Sequence, residues 1–197
     1  KFMYLIFDCS ANGNPSSYKA PFSDTFNWPR LIHISWILLD AQLKPIGDFD
    51  RIVQPEGFAL NDEIRKKSKI DEEDVLNKAV PLTGILEEFN ESVKKCEYIF
   101  SHNLNFNENV LAAEFIRKGV DILMFKKERY CLMQEGTYYA KLPSKTGGYK
   151  WPTLSELHAA CFNSAYTPAN NARADVIAAA RCFIKLMKSG QLEDLFD

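Results

Sequence analysis

The chain has no run of 18 apolar residues, and the apolar stretch from Phe2 to Phe7 is far too short for a membrane span or a secretion signal's apolar region. A soluble, cytoplasmic protein is expected. It has no CxxC pair: Cys9, Cys96, Cys131, Cys161 and Cys182 are odd in number and widely spaced. That excludes a disulfide framework or thiolate zinc site and fits a reducing compartment, with the cysteines acting as small buried hydrophobes. Positive charge is not in excess either. A formal net charge of -2 supplies no overall basic field, so any polynucleotide contact needs local positive patches or bound metal ions. Internal repeats and low-complexity tracts are absent.

What is present is a well-filled chain of 197 residues, 46% hydrophobic and 13% aromatic. A chain of that length buries roughly 70% of its unfolded surface, so a single domain over 1–197 is expected. Phe2 to Phe7 reads as a strand buried on both faces that ends at Asp8. Asn12 to Pro29 then reads as a long irregular loop. Leu31 to Leu39 and Ile46 to Val53 are β-rich and joined by a turn, which predicts an antiparallel pair. Pro81 to Lys95 carries Leu82, Ile85, Leu86, Phe89 and Val93 at helical spacing and feeds a short strand, Tyr98 to Ser101. In the next helix, running to Lys118 and stopping at Gly119, Asn105 is the expected cap and Glu108 the third residue of a capping box. Helices are also expected over Thr153 to Cys161 and Asn171 to Lys188, the latter with Ala172, Val176, Ala179, Ala180, Phe183 and Met187 on its core stripe. Strand and helix alternate, the pattern of an α/β fold.

Polar side chains gather at the edges of three of these elements: Asp8 with Ser10, His102 to Asn107, and Asn170 to Asp175. In α/β sheets such positions usually build the site. Each has a plainer reading. Read alone, Asp8 is better taken as a turn cap, which the conjunction of the three places reverses, while Asn103 serves equally as a loop brace. Asn107 and Asn170 divide between ligand-orienting amides and ordinary helix-start residues. Asp175, on an alanine-lined helix, is costly to bury unless paired. His33 and His158 read as framework histidines, and Arg65-Lys66-Lys67 as a solvated face that meets phosphate only if it borders a cleft. Trp28, Tyr149 and Trp151 divide between base stacking and packing.

Taken together, Asp8-Cys9-Ser10, His102-Asn103-Leu104-Asn105-Phe106-Asn107 and Asn170-Asn171-Ala172-Arg173-Ala174-Asp175 resemble, in order and spacing, the three motifs of the DEDDh-type 3′-5′ exonucleases, the DNA polymerase III epsilon subunit-like nucleases. The family's motifs are Asp-x-Glu, His-Asn-x-x-Phe-Asp and His-x-Ala-x-x-Asp. Asn27 to Ile32, Ile52 to Gly57 and Gly148 to Leu157 are similar to one subgroup of the family, whereas Ser68-Lys69-Ile70-Asp71 departs from the His-Gly-Ile-Thr usual near the substrate's end. The resemblance spans Tyr4 to Phe183. It implies a ribonuclease H-like fold, a mixed five-stranded sheet flanked by helices. It also implies catalytic positions at Asp8, Ser10, Asn107, Asn170 and Asp175, and substrate contacts at His102, Asn103 and Phe106.

Three of those five catalytic positions have changed, with Ser10, Asn107 and Asn170 standing where the family has Glu, Asp and His. The resemblance implies chemistry by two Mg²⁺ or Mn²⁺ ions held by four carboxylates. Unit charges about 4 Å apart interact by roughly 4 kcal/mol at an effective dielectric of 20, and two divalent ions repel about four times as strongly. Asp8 and Asp175 alone are therefore expected to hold at most one ion, weakly. Asn170 has no titratable nitrogen, and losing a general base costs about 10²- to 10⁴-fold. The expectation is a nuclease-like pseudoenzyme that binds a single-stranded 3′ end or a nucleotide, with catalysis lost or severely impaired. The alternatives are an active metal-dependent exonuclease and an interaction module, for example one contacting a polymerase subunit.

Overall fold

The computed structural model describes residues 2–167 and 171–196. Its centre is one five-stranded sheet in the order β3-β2-β1-β4-β5. Strands β1 (Tyr4–Ala11), β2 (Leu31–Leu39) and β3 (Pro45–Ile52) pair antiparallel, while β4 (Tyr98–Ser101) and β5 (Glu128–Cys131) run parallel to β1. The sheet is thus mixed and flanked by helices, the α/β architecture expected.

Two apolar layers cover it, and β1 feeds both because successive side chains alternate across a sheet. Leu5, Phe7 and Cys9 join Trp36, Phe89, Val93, Leu111 and Phe115, against helices α3 (Leu82–Lys95) and α4 (Leu104–Lys118). Tyr4 and Ile6 join Ile37, Phe100, Val176, Ala179 and Phe183, against α7 (Leu154–Phe162) and α8 (Ala172–Lys188). Asp8 and Ser10 share the parity of Tyr4 and Ile6, so they lie on the α7/α8 side.

Asp8 is not the end of β1, as its apolar run predicted. The strand continues to Ala11 because β2 keeps pairing, with Asp8 opposite Ser35 and Ser10 opposite His33. The parallel partner stops earlier, its last pair with β1 being Ile6 with Phe100. Beyond Phe7, β1 is therefore supported by backbone on one side only.

Helix α4 ends at Gly119 as expected, but the capping box is absent. Its cap is Asn103, in the left-handed conformation (φ 67°) and without a side-chain cap bond. Asn105 instead donates to the Tyr18 carbonyl (3.2 Å), and Glu108 is drawn to Arg129 (2.7 Å). The core stripe of α8 holds except that Met187 is half-buried while Ala178, Cys182 and Leu186 are buried.

Four further helices carry little apolar pattern: α1 (Asp62–Ser68), α2 (Glu72–Lys78), α5 (Leu132–Glu135) and α6 (Thr137–Ala140). Glu114 of α4, wholly buried, accepts from Arg30 Nε (3.1 Å), the Leu31 N–H (3.0 Å) and Arg117 Nη1 (2.5 Å). It thereby fastens α4 to the start of β2. All five cysteines are free and buried. No helix among the described residues is long and apolar enough to cross a membrane.

Candidate functional site

Where β4 ends and β1 continues, a cleft of about 450 Å³ opens. Asp8, Ser10, His102, Asn103, Phe106, Asn107 and Asp175 all line it, so the structure brings together every candidate site residue that it describes. Asn170 lies outside the described residues. The remaining walls come from α1 through Ile64, Lys67 and Ser68, from Met133 of α5, and from Thr153 and Leu154 at the start of α7. Lys67 thus borders the cleft. It pairs with Glu63 (3.0 Å) and leaves over half its side chain exposed.

Asp8 is buried, and its carboxyl is held well above the ordinary carboxylate range. Burial is the main cause, and the charge of Asp175 adds to it. The Cys9 N–H and the Asn107 amide work in the opposite direction. Asp175 is half-buried and accepts a short hydrogen bond from Tyr166 Oη (2.5 Å). Burial, and then that bond, push the Tyr166 phenol above its usual range.

Asn107 is buried at 2% exposure and both ends of its amide are in use. Its oxygen accepts from the Cys9 N–H (3.2 Å), and its nitrogen donates to Ser101 Oγ (2.7 Å) and the His102 carbonyl (3.1 Å). Ser101 Oγ donates in turn to the Phe7 carbonyl (2.7 Å). Side chains thus continue the β1–β4 pairing past the point where the backbone stops. A carboxylate accepts only, so it could not make the two bonds that the Asn107 nitrogen donates.

His102 donates from Nε2 to the Pro152 carbonyl (3.0 Å), which fixes the tautomer, because a carbonyl only accepts. Burial lowers the pKa of its imidazole, against smaller opposing effects from that bond and from Asp175. His158 bonds the Ser164 carbonyl through Nδ1 (2.8 Å), and His33 Nε2 meets Asp50 (2.5 Å), so both are framework residues as expected. Trp28 is also framework, 2% exposed and bonded to the Pro21 carbonyl (3.0 Å), which removes it from the stacking candidates. Trp151 and Tyr149 are exposed.

Two ties set the cleft's width. Asn171, the cap of α8, donates to the Ser68 carbonyl at the end of α1 (2.8 Å). Arg173 clamps Asp48 of β3 through both terminal nitrogens, one of which also reaches Ser35 Oγ (3.3 Å). Neither tie was foreseeable, since each joins residues more than 100 positions apart.

The donor set does not fit a pair of divalent ions. Two carboxylates face the cleft, one already hydrogen-bonded to a tyrosine, and the amide at 107 is spent on the backbone. Among the described residues no group of three or more His, Cys, Asp or Glu is placed to hold a metal ion.

No family model matches the chain, and no curated protein matches it in sequence. Solved structures do share its fold. E. coli exonuclease I in complex with a dA16 oligonucleotide superposes with a TM-score of 0.73 at 17% identity, over 100% of this chain and 43% of that one. The zinc-ion-bound form of the E. coli exonuclease I–ssDNA complex gives 0.70 at 18% identity, over 100% and 43%. At that identity the likeness shows the fold alone, and the chain spans less than half the length of these structures.

Proposed function

We propose that the chain binds the 3′ end of a single strand of nucleic acid in this cleft and cleaves it slowly or not at all. The observation that carries the reading is the pairing of Asp8 and Asp175 in a cleft whose next polar side chain, Asn107, is fully engaged in bracing the sheet. A cleft of about 450 Å³ suits one nucleotide. Lys67 stands where a phosphate would meet a positive charge, and the exonuclease I fold, seen elsewhere with bound oligonucleotides, supports strand binding.

Hydrolysis of a phosphodiester by metal ions needs enough carboxylate to neutralise them. Asp8 and Asp175 suffice for one hard cation that completes its shell with water and phosphate, which aids binding more than bond breaking. Position 170, where the motif has histidine, is asparagine. His102, held with its Nε2–H on the Pro152 carbonyl, keeps only Nδ1 to take a proton, and burial lowers the pKa of its imidazole, which makes it a weak base.

The test is a digestion of 5′-labelled single strands with Mg²⁺ and Mn²⁺ titrated separately, alongside binding by fluorescence anisotropy. Saturable binding without shortening is expected. The triple change Ser10→Glu, Asn107→Asp and Asn170→His should gain 3′-5′ trimming. Trimming by the unchanged protein at the rate of ordinary proofreading enzymes would overturn the reading.

A further inference from the structure

We infer that the groove beside the cleft, lined by Tyr18 and Trp151, is a stacking platform for the bases immediately upstream of a 3′ end held in the cleft. The inference rests on the proposed function and deepens it by assigning the path of the strand. The groove has a volume of about 690 Å³ and shares Asn103 and Met133 with the cleft, so the two adjoin.

Its chemistry suits bases better than a protein surface or an array of phosphates. Tyr18 and Trp151 are each about half exposed (52% and 54%), so part of each ring is open to a ligand. Between them the groove offers the amides of Asn103 and Gln134 and a single cation, Lys19. Aromatic faces stack any base, and amides meet base edges as donor or acceptor without selecting one sequence.

The backbone beside both rings is tied to the motif that builds the cleft. Asn105 holds the Tyr18 carbonyl (3.2 Å), and Asn109 donates to both the carbonyl and side-chain oxygen of Asn105 (2.7 and 3.1 Å). The Tyr18 ring lies 6.5 Å from that of Phe106, a cleft residue, at 41°. On the other flank His102 bonds the carbonyl of Pro152, the residue after Trp151. The segment 102–109 therefore positions the floor of the cleft and both rings together, and His102 acts here as a positioning residue for Trp151.

Trp151 is the only exposed tryptophan of the three, Trp28 and Trp36 being buried, and so is a built-in reporter. The full chain is titrated with oligothymidylate of about ten nucleotides, enough to fill both cavities, and with thymidine monophosphate, enough only for the cleft. The oligonucleotide should quench tryptophan emission and the mononucleotide should leave it unchanged. Trp151→Ala and Tyr18→Ala should each weaken oligonucleotide binding roughly 5- to 100-fold, the range for one lost base stack, without changing mononucleotide affinity. Trp151→Phe should retain most of it, which separates stacking from misfolding. If both alanine variants bind the oligonucleotide as tightly as the parent, the platform is refuted while the cleft reading stands. The platform is refuted in the same way if the parent holds the oligonucleotide no more tightly than the mononucleotide. A parent that binds neither overturns the cleft reading and this inference with it.

Discussion

Replacing Asn107 by aspartate adds a carboxylate to the cleft, and the bracing described above makes its cost calculable. The amide nitrogen donates to Ser101 Oγ and to the His102 carbonyl, and a carboxylate donates to neither. Leaving a buried acceptor without its donor costs about 1–3 kcal/mol, so two losses come to about 2–6 kcal/mol. Ser101 can turn its hydroxyl toward the new carboxylate only by releasing the Phe7 carbonyl, which exchanges one loss for another. The added negative charge, beside Asp8 and Asp175 at a position 2% exposed, pushes the same way. At roughly 2–4 °C per kcal/mol for a domain of this size, Asn107→Asp should melt roughly 5–20 °C below the parent in EDTA at neutral pH. Acid should shrink the deficit as the clustered carboxyls take up protons. Mn²⁺ should also shrink it, since a ligand at 100 times its dissociation constant adds about 2.7 kcal/mol, whereas the parent's melting point should barely respond. Circular-dichroism melts in EDTA and in Mn²⁺ make the comparison. A variant as stable as the parent in EDTA would show that the amide does not brace the sheet.

Asp8 gives a pH signature. Its folded pKa lies above its unfolded one, so below about pH 4 the group is protonated in both states and costs nothing. As pH rises, the unfolded chain ionises first and folding loses stability until the folded value is passed. Asp8→Asn should therefore stabilise the protein at pH 7, with the gain vanishing in acid; urea midpoints across pH would expose a constant or inverted difference. Tyr166→Phe removes a hydrogen bond to the Asp175 carboxylate, worth about 1.5–3 kcal/mol. It should lower stability but raise Mn²⁺ affinity by calorimetry, and unchanged affinity would show that the tyrosine does not compete for the site. Glu114→Ala strips a wholly buried acid from Arg30 and Arg117 and should cost about 3–5 kcal/mol in urea titrations. A loss under about 1 kcal/mol would contradict the anchoring of α4 to β2.

The elements that the sequence pattern locates are those whose apolar residues repeat: β2, β4 and α3 fall within a residue of their expected limits, while α4 stops where expected and starts two residues early. Helices α1 and α2 escape because charge dominates them; α2 buries none of its residues and α1 only Ser68. Strand β5, Glu-Arg-Tyr-Cys, is short and polar, and the fifth strand was expected only from the family resemblance. In the site, Asp8, Ser10, His102, Asn103, Phe106, Asn107 and Asp175, picked out in the sequence, line one cleft. What each residue touches is another matter. Asn107 was balanced between two uses until the Cys9 N–H, 98 positions away in sequence, settled its oxygen as a brace. Lys67 borders the cleft through α1, the condition that the sequence left open for this otherwise solvated basic run.

The Cys9 amide proton lies beyond the reach of β4 and is held by side chains, the Asn107 oxygen with the Asp8 carboxyl beside it. Its exchange with solvent deuterium is therefore a gauge at single-residue resolution. Whatever prises Asn107 loose, be it a cation, a phosphate or a substitution, should speed the exchange of that one proton while its neighbours in the β1–β2 ladder keep their time.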